Sequence, residues 1–313
     1  MSGRSQKGRS INGLLLLDKP IGITSNRALQ EVKRLINARK AGHTGSLDPL
    51  ATGMLPLCFG DATKFSQFLL DADKCYETTA KLGVITDSGD AEGTVIEQRE
   101  VGVISAEEIE AVLEKFRGKI LQIPSMFSAL KQKGRPLYEL ARQGIEVPRE
   151  PRPITIYTLE LKAFATDELS LFVRASKGTY IRSLVEDIGL ALGCGAHVTA
   201  LRRTSVSHFT AEKMIELEAL KSLFEENSEE ALQQLLQPVD SLLHSLPTIQ
   251  LNEKASFYLQ RGQKVHVEGA LSGAKVGEVR LYDDHQHFIG VGVLQEDEVV
   301  RAKRLISSST TVL

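Results

Sequence analysis

The hydrophobic positions of this 313-residue chain change period several times, and each change marks an element. Residues 1–10 are polar and basic and read as a flexible arm. Gly13-Leu14-Leu15-Leu16-Leu17-Asp18 is then an unbroken apolar run of strand length, stopped by Pro20 and Gly22. Ala28, Val32, Leu35 and Ile36 recur at the spacing of one buried helix face, with Thr24 or Ser25 placed to cap it. Over residues 41–56 neither period holds; glycine, proline and small residues predict a loop. The spacing next predicts an amphipathic helix over 62–70 and a strand over 75–82, with Tyr76, Thr78, Ala80 and Leu82 on one side.

Ser105 and Glu108 form a capping-box pattern ahead of Ile109, Val112, Leu113 and Phe116, a helix ended by Gly118. Leu169, Leu171 and Val173 alternate as a strand, and Thr179 stands where it could cap a helix carrying Ile181, Leu184, Val185 and Ile188, closed by Gly193. Residues 216–243 read as helical and acidic, and Pro247 punctuates them. A domain boundary is expected there. After a short helix near 252–261 the chain alternates in strands rich in glycine and valine, which predicts a small β module.

Composition narrows the class. A chain with 42% hydrophobic and 25% charged residues is a globular protein, neither disordered nor fibrous. The longest aliphatic run falls far short of the roughly 20 residues of a membrane span, and no secretory core follows the basic start, so a cytoplasmic protein is expected. Cys58, Cys75 and Cys194 fit neither a disulfide framework nor a zinc site. With a net charge of −2, any nucleic-acid surface must come from locally segregated cations. Lys131, Lys133, Arg135, Arg142, Arg149 and Arg152, with Arg202 and Arg203, are the candidates.

The densest chemistry lies in the aperiodic loop, Gly42-His43-Thr44-Gly45-Ser46-Leu47-Asp48-Pro49-Leu50-Ala51-Thr52-Gly53. Glycines open backbone geometries closed to other residues, and Pro49 restricts Asp48 to extended backbone, so a carboxylate can be held out from a rigid loop. That suits a nucleophile; taken alone, it also suits a turn in which Asp48 bonds nearby amides. The loop lacks the Gly-Lys-Ser/Thr of a phosphate cradle, and His43 and Asp48 have no third ligand at metal-site spacing.

Several blocks together resemble the bacterial tRNA pseudouridine synthases of the TruB type. Asp18-Lys19-Pro20 with Gly22, Thr24 and Ser25 is similar to the family's N-terminal Lys-Pro motif, and His43 to Gly53 to its nucleophile loop, with Asp48 the acid. Tyr76, Thr86-Asp87-Ser88-Gly89-Asp90, Ile123-Pro124-Ser125, Ser128-Ala129-Leu130-Lys131, Lys177-Gly178-Thr179-Tyr180-Ile181-Arg182 and Ala200-Leu201-Arg202-Arg203-Thr204 match further blocks in order. Ser46 departs from the usual Thr or Ala, and the C-terminal module matches mainly by position and pattern.

The resemblance implies an α/β fold of the α+β type: a catalytic domain over residues 11–246, with a central, mostly antiparallel sheet ringed by helices, and a PUA-like RNA-binding domain over 247–313. It implies conversion of uridine 55 in the tRNA T loop to pseudouridine by base flipping. No cofactor, metal, membrane, guide RNA or obligatory protein partner is implied, and a monomer is expected. Asp48 would attack C6 of uracil, attack C1′, or remove a 2′ proton; the sequence leaves these open. Arg182 would pair with Asp48, Tyr76 would stack on the base and take the C5 proton, and Tyr180 and Leu201 would line the pocket. His43 would hold the space of the extruded base, with Asp90, Lys19 and Pro20 in support. A noncatalytic RNA-folding protein and a guide-RNA-dependent subunit are the alternatives.

Overall fold

Four consecutive leucines anchor the first strand. In the computed structural model, which describes residues 8–225 and 229–307, strand β1 (Gly13–Lys19) is buried on both faces. Leu15 and Leu17 pack on helix α1 (Ser25–Leu35), while Leu14 and Leu16 enter a separate cluster behind it. A strand covered on both sides needs no alternation, hence the continuous apolar run. Thr24 caps α1, its Oγ1 accepting the Arg27 N–H at 3.1 Å. Of the expected arm, residues 1–7 lie outside the described residues, and Arg9 exchanges backbone hydrogen bonds with Asn37 and Arg39.

The loop expected over 41–56 is shorter than that. Strands β2 (Ala41–His43) and β3 (Thr52–Phe59) flank it, leaving residues 44–51 irregular. β3 escapes a period-two reading because it too is doubly buried: Leu55, Leu57 and Phe59 face α1, and Met54 and Cys58 face the other way. The helix expected over 62–70 is also divided, into a 3₁₀ turn (Gly60–Lys64) and α2 (Ser66–Leu70). At the break Phe65 turns its ring into the core, edge-on to Phe288 at 5.7 Å.

β4 (Lys74–Leu82) buries every second residue, Tyr76 among them, as its alternation predicts. A hairpin follows, β5 (Val84–Thr86) and β6 (Val95–Gln98). α3 (Ala106–Glu114) carries both bonds of the capping box between Ser105 and Glu108. β7 (Gly118–Gln122) leads to an arm with a small hairpin, β8 (Lys131–Gln132) and β9 (Arg135–Pro136), and a short helix, α4 (Leu137–Ala141). The long pair β10 (Arg152–Ala165) and β11 (Glu168–Ala175) returns the chain to α5 (Ile181–Ala191). Thr179 does not cap α5: its hydroxyl donates to Ser176 O, and Tyr180 is the N-cap. β12 (Ala196–Val206), β13 (Ile215–Glu216), α6 (Leu217–Glu225) and α7 (Glu229–Leu235) complete this half.

The central sheet runs β13-β1-β3-β12-β4-β11-β10-β7, with β2 on β3. Its pairings are antiparallel except β1 with β13 and β3 with β12. A second sheet begins at β14 (Thr248–Gln250). Helix α8 (Glu253–Gln260), β15 (Val265–His266) and α9 (Ala270–Gly273) precede its remaining strands, β16 (Gly277–Tyr282), β17 (Phe288–Leu294) and β18 (Val299–Leu305). The order is β14-β16-β17-β18-β15 around Leu251, Leu259, Val279, Leu281 and Val300. Val291 joins the cluster of Leu14 and Leu16, and Asp61 accepts the Ser307 N–H at 2.6 Å, so the second sheet is bound to the back of the first. Among the described residues no helix is long and apolar enough to cross a membrane.

Candidate active site

The irregular segment 44–51 is fixed from several sides, which is how an exposed acid is kept in place. Ser25 Oγ accepts the Leu47 N–H at 2.7 Å and lies 3.0 Å from Leu47 O. Gly22 N–H donates to Pro49 O at 2.8 Å. Lys19, fully buried, donates its ammonium to the carbonyls of Pro20 and Ile23 at 2.8 Å and to Pro49 at 3.4 Å. Pro20 itself is exposed and contributes its carbonyl. Beneath the loop, Arg203 donates to Gly45 O at 2.9 Å and Met54 O at 2.7 Å. Gly53, at φ +95°, is required: a Cβ there would lie 2.3 Å from Arg203 O.

From this frame Asp48 projects with 39% of its side chain exposed, and its Oδ2 accepts from Arg182 Nε at 2.9 Å. Arg182 rises from the first turn of α5 and is only 5% exposed. Its other donors reach Ser88 O at 2.7 Å and Phe127 O at 2.8 Å, so the fork has one rotamer. Asp90 Oδ2 stands 3.7 Å from Arg182 Nη1, its Oδ1 accepting from Ser88 Oγ at 2.6 Å and Glu92 N–H at 3.1 Å. Burial pushes the Asp48 carboxyl above the usual carboxylate range; Arg182 offsets part of this, while the Asp90 charge adds to it. Burial likewise lowers the Lys19 ammonium to about 8.

Tyr76 and Leu201, each 8% exposed, join Leu47 and Leu50 in one apolar cluster beside the carboxylate. Tyr180 closes another wall, clasped by the Gln122 amide, which accepts its N–H at 2.8 Å and donates to its carbonyl at 3.0 Å. His43 pairs with Leu57 at the loop's entry; burial and the charge of Arg203 lower its pKa, so the ring is neutral at neutral pH. Asp48, Arg182, Tyr76, Leu201, Tyr180, Asp90 and Lys19 therefore meet although they come from six separate stretches of chain. A half-exposed carboxylate, ion-paired to a buried cation and walled by apolar and aromatic groups, can accept a proton or attack carbon in a partly desolvated space.

Ser25, Ser88, Gln122 and Arg203 belong to the site's support, a role that local sequence patterns do not display for the first three. Arg203, expected among the phosphate-binding cations, is 1% exposed and faces inward. Its position two residues beyond Leu201 on β12 carries the signal, since i and i+2 share a strand face. Arg202 points the other way and pairs with Asp18 through both carboxylate oxygens, at 2.9 and 2.6 Å.

Comparison with known proteins matches this architecture throughout. Family models described as TruB family pseudouridylate synthase (N terminal domain), tRNA pseudouridylate synthase B C-terminal domain, and Pseudouridine synthase II TruB, C-terminal match residues 33–181, 182–244 and 247–306. A "tRNA pseudouridine synthase B" of Tolumonas auensis is 56% identical over 310 residues, covering 97% of this chain and 94% of that protein. The chain belongs to the TruB family of pseudouridylate synthases. A family member of the same name from Pasteurella multocida is 51% identical and covers 99% of this chain and 100% of its own. Among solved structures, a Cbf5-Nop10-Gar1 complex contains a chain with TM-score 0.72 and 27% identity, covering 94% of this chain and 84% of that one. A chain from an H/ACA RNP bound to a substrate RNA containing 2'-deoxyuridine reaches 0.72 and 26%, covering 98% and 92%.

Proposed function

We propose that this chain is a stand-alone enzyme that isomerises uridine 55 in the T loop of tRNA to pseudouridine, with Asp48 as the reacting group. The observation that carries the reading is the Asp48–Arg182 pair, an acid open to solvent held on a buried guanidinium beside Tyr76. Isomerisation must break the bond between N1 and ribose, turn the base, and join C5 to C1′ without losing it. An ionised Asp48 can attack C6, attack C1′, or take the 2′ proton, and each route begins from the carboxylate. The uridine first leaves its stack, at a cost of a few kcal/mol that ring stacking and polar contacts offset.

In this reading Tyr76 stacks on the flipped uracil and removes the proton from C5 once the new bond has formed. Tyr180 and Leu201 complete the pocket, and neutral His43 fills the gap left in the RNA. Lys19, Pro20 and Asp90 hold the frame. Residues 11–246 form the catalytic domain and 247–313 a PUA-like RNA-binding domain, acting as a cytoplasmic monomer without cofactor, guide RNA or protein partner. The test is a reaction of purified protein with an unmodified tRNA T-stem-loop alone. Pseudouridine mapped at the T-loop uridine is the expected product; its absence, with the RNA bound, would overturn the assignment.

A further inference from the structure

Arg203 is one of the largest fully buried side chains of the described structure, and no carboxylate pairs with it in the contacts around it. A guanidinium is costly to bury, and its five donors need acceptors in a fixed fork geometry. Here the acceptors are the carbonyls of Gly45 and Met54, which bracket the Asp48 segment on either side. Arg203 is also the direct cross-strand partner of Tyr76 in the pairing of β12 with β4. A register shift between Arg203 and Ser205 bends β12 here, and Gly53 admits the Arg203 backbone where any Cβ would collide. One buried cation thus bonds to both ends of the loop that carries Asp48 and sits directly across the ladder from Tyr76.

We propose that Arg203 is a positioning residue for this reaction: its guanidinium holds the Asp48 loop while its place in the strand ladder sets that loop directly against Tyr76. A hydrophobic core residue in this place would leave two buried carbonyls without donors and the loop free to shift. Displacement of a reacting group by about 1 Å costs on the order of 100-fold in rate.

The proposal rests on Asp48 and Tyr76 carrying the chemistry, and the experiment separates the two. Single-turnover rates on a T-stem-loop, RNA affinity and thermal melting are measured for Arg203→Met, Arg203→Lys, Asp48→Asn and the unaltered protein. Arg203→Met is expected to lose about 100-fold in rate per folded molecule. Arg203→Lys keeps one charged donor and is expected to recover part of that loss, and RNA affinity stays within about threefold in both. A general structural role would not yield a rate loss confined to the bound complex. A rate near that of the unaltered protein for Arg203→Met, with Asp48→Asn inactive, overturns the proposal and leaves the Asp48 reading standing. Full activity of Asp48→Asn overturns that reading instead. If neither Arg203 variant folds, Arg203 determines the fold and the positioning claim fails.

Discussion

At the scale of single residues, the site is a contest between burial and charge. Burial raises the Asp48 carboxyl and Arg182 draws it back, so the ionised form that the chemistry needs depends on that guanidinium. Replacing Arg182 with Gln removes the charge that most favours the carboxylate. The Asp48 titration, followed by the NMR shift of its labelled side-chain carbon, is expected to move to higher pH; a move downward would contradict the pairing. Glu186, behind Arg182 on α5, offers a stability test. Burial holds its folded pKa at about 7, above the ordinary 4.5. A raised carboxyl stabilises the fold fully below its unfolded value and loses that contribution as pH rises through 7. Glu186→Gln is therefore expected to match the unaltered protein near pH 4 and to exceed it above pH 7, by on the order of 2 kcal/mol. Chemical denaturation at the two pH values measures the difference.

At the scale of elements, strands and helices are legible in the sequence where one face is wet and are lost where both are dry. Tyr76's facing on β4, the capping box of α3 and the Thr24 cap of α1 are all readable from spacing. Part of β3 reads as loop because its apolar residues point both ways, and Phe65 breaks a helix for the sake of a contact with Phe288, over 220 residues away in sequence. The resemblance points to Asp48, Arg182 and Tyr76, but Ser25 and Arg203 act through bonds across 22 and 158 residues that no local pattern records. Ser25→Ala tests that layer: it strands the buried Leu47 N–H, costs about 1–3 kcal/mol, and slows turnover by loosening the Asp48 loop. Retention of both melting temperature and rate would show that Ser25 does not hold the loop. In the doubly covered strand, Leu57→Ala is expected to cost about 2–5 kcal/mol, read by denaturant midpoint.

At the scale of the whole molecule, a chain of nearly balanced charge must gather its cations where RNA lies. Lys131, Lys133, Arg135, Arg142 and Arg152 are exposed on or beside the arm between β7 and β10, whereas Arg149 is drawn to Pro124 O and Glu146, Arg202 is paired with Asp18, and Arg203 is engaged inside the fold. T-stem-loop affinity is expected to fall steeply with salt, and joint replacement of Lys131, Lys133 and Arg135 by Ala to flatten the slope by up to about three. An unchanged slope would place the RNA elsewhere. The central sheet braces the second one through Leu14, Leu16 and Val291, and the acid is held by the hydrogen bonds of Ser25, Lys19 and Arg203 to its loop. The most direct test of that arrangement exchanges one atom: Asp48→Asn keeps the size of the side chain and removes its charge. With folding verified by melting and RNA binding retained, pseudouridine formation in the T loop is expected to vanish. A single-turnover rate within about tenfold of the unaltered protein would contradict the account.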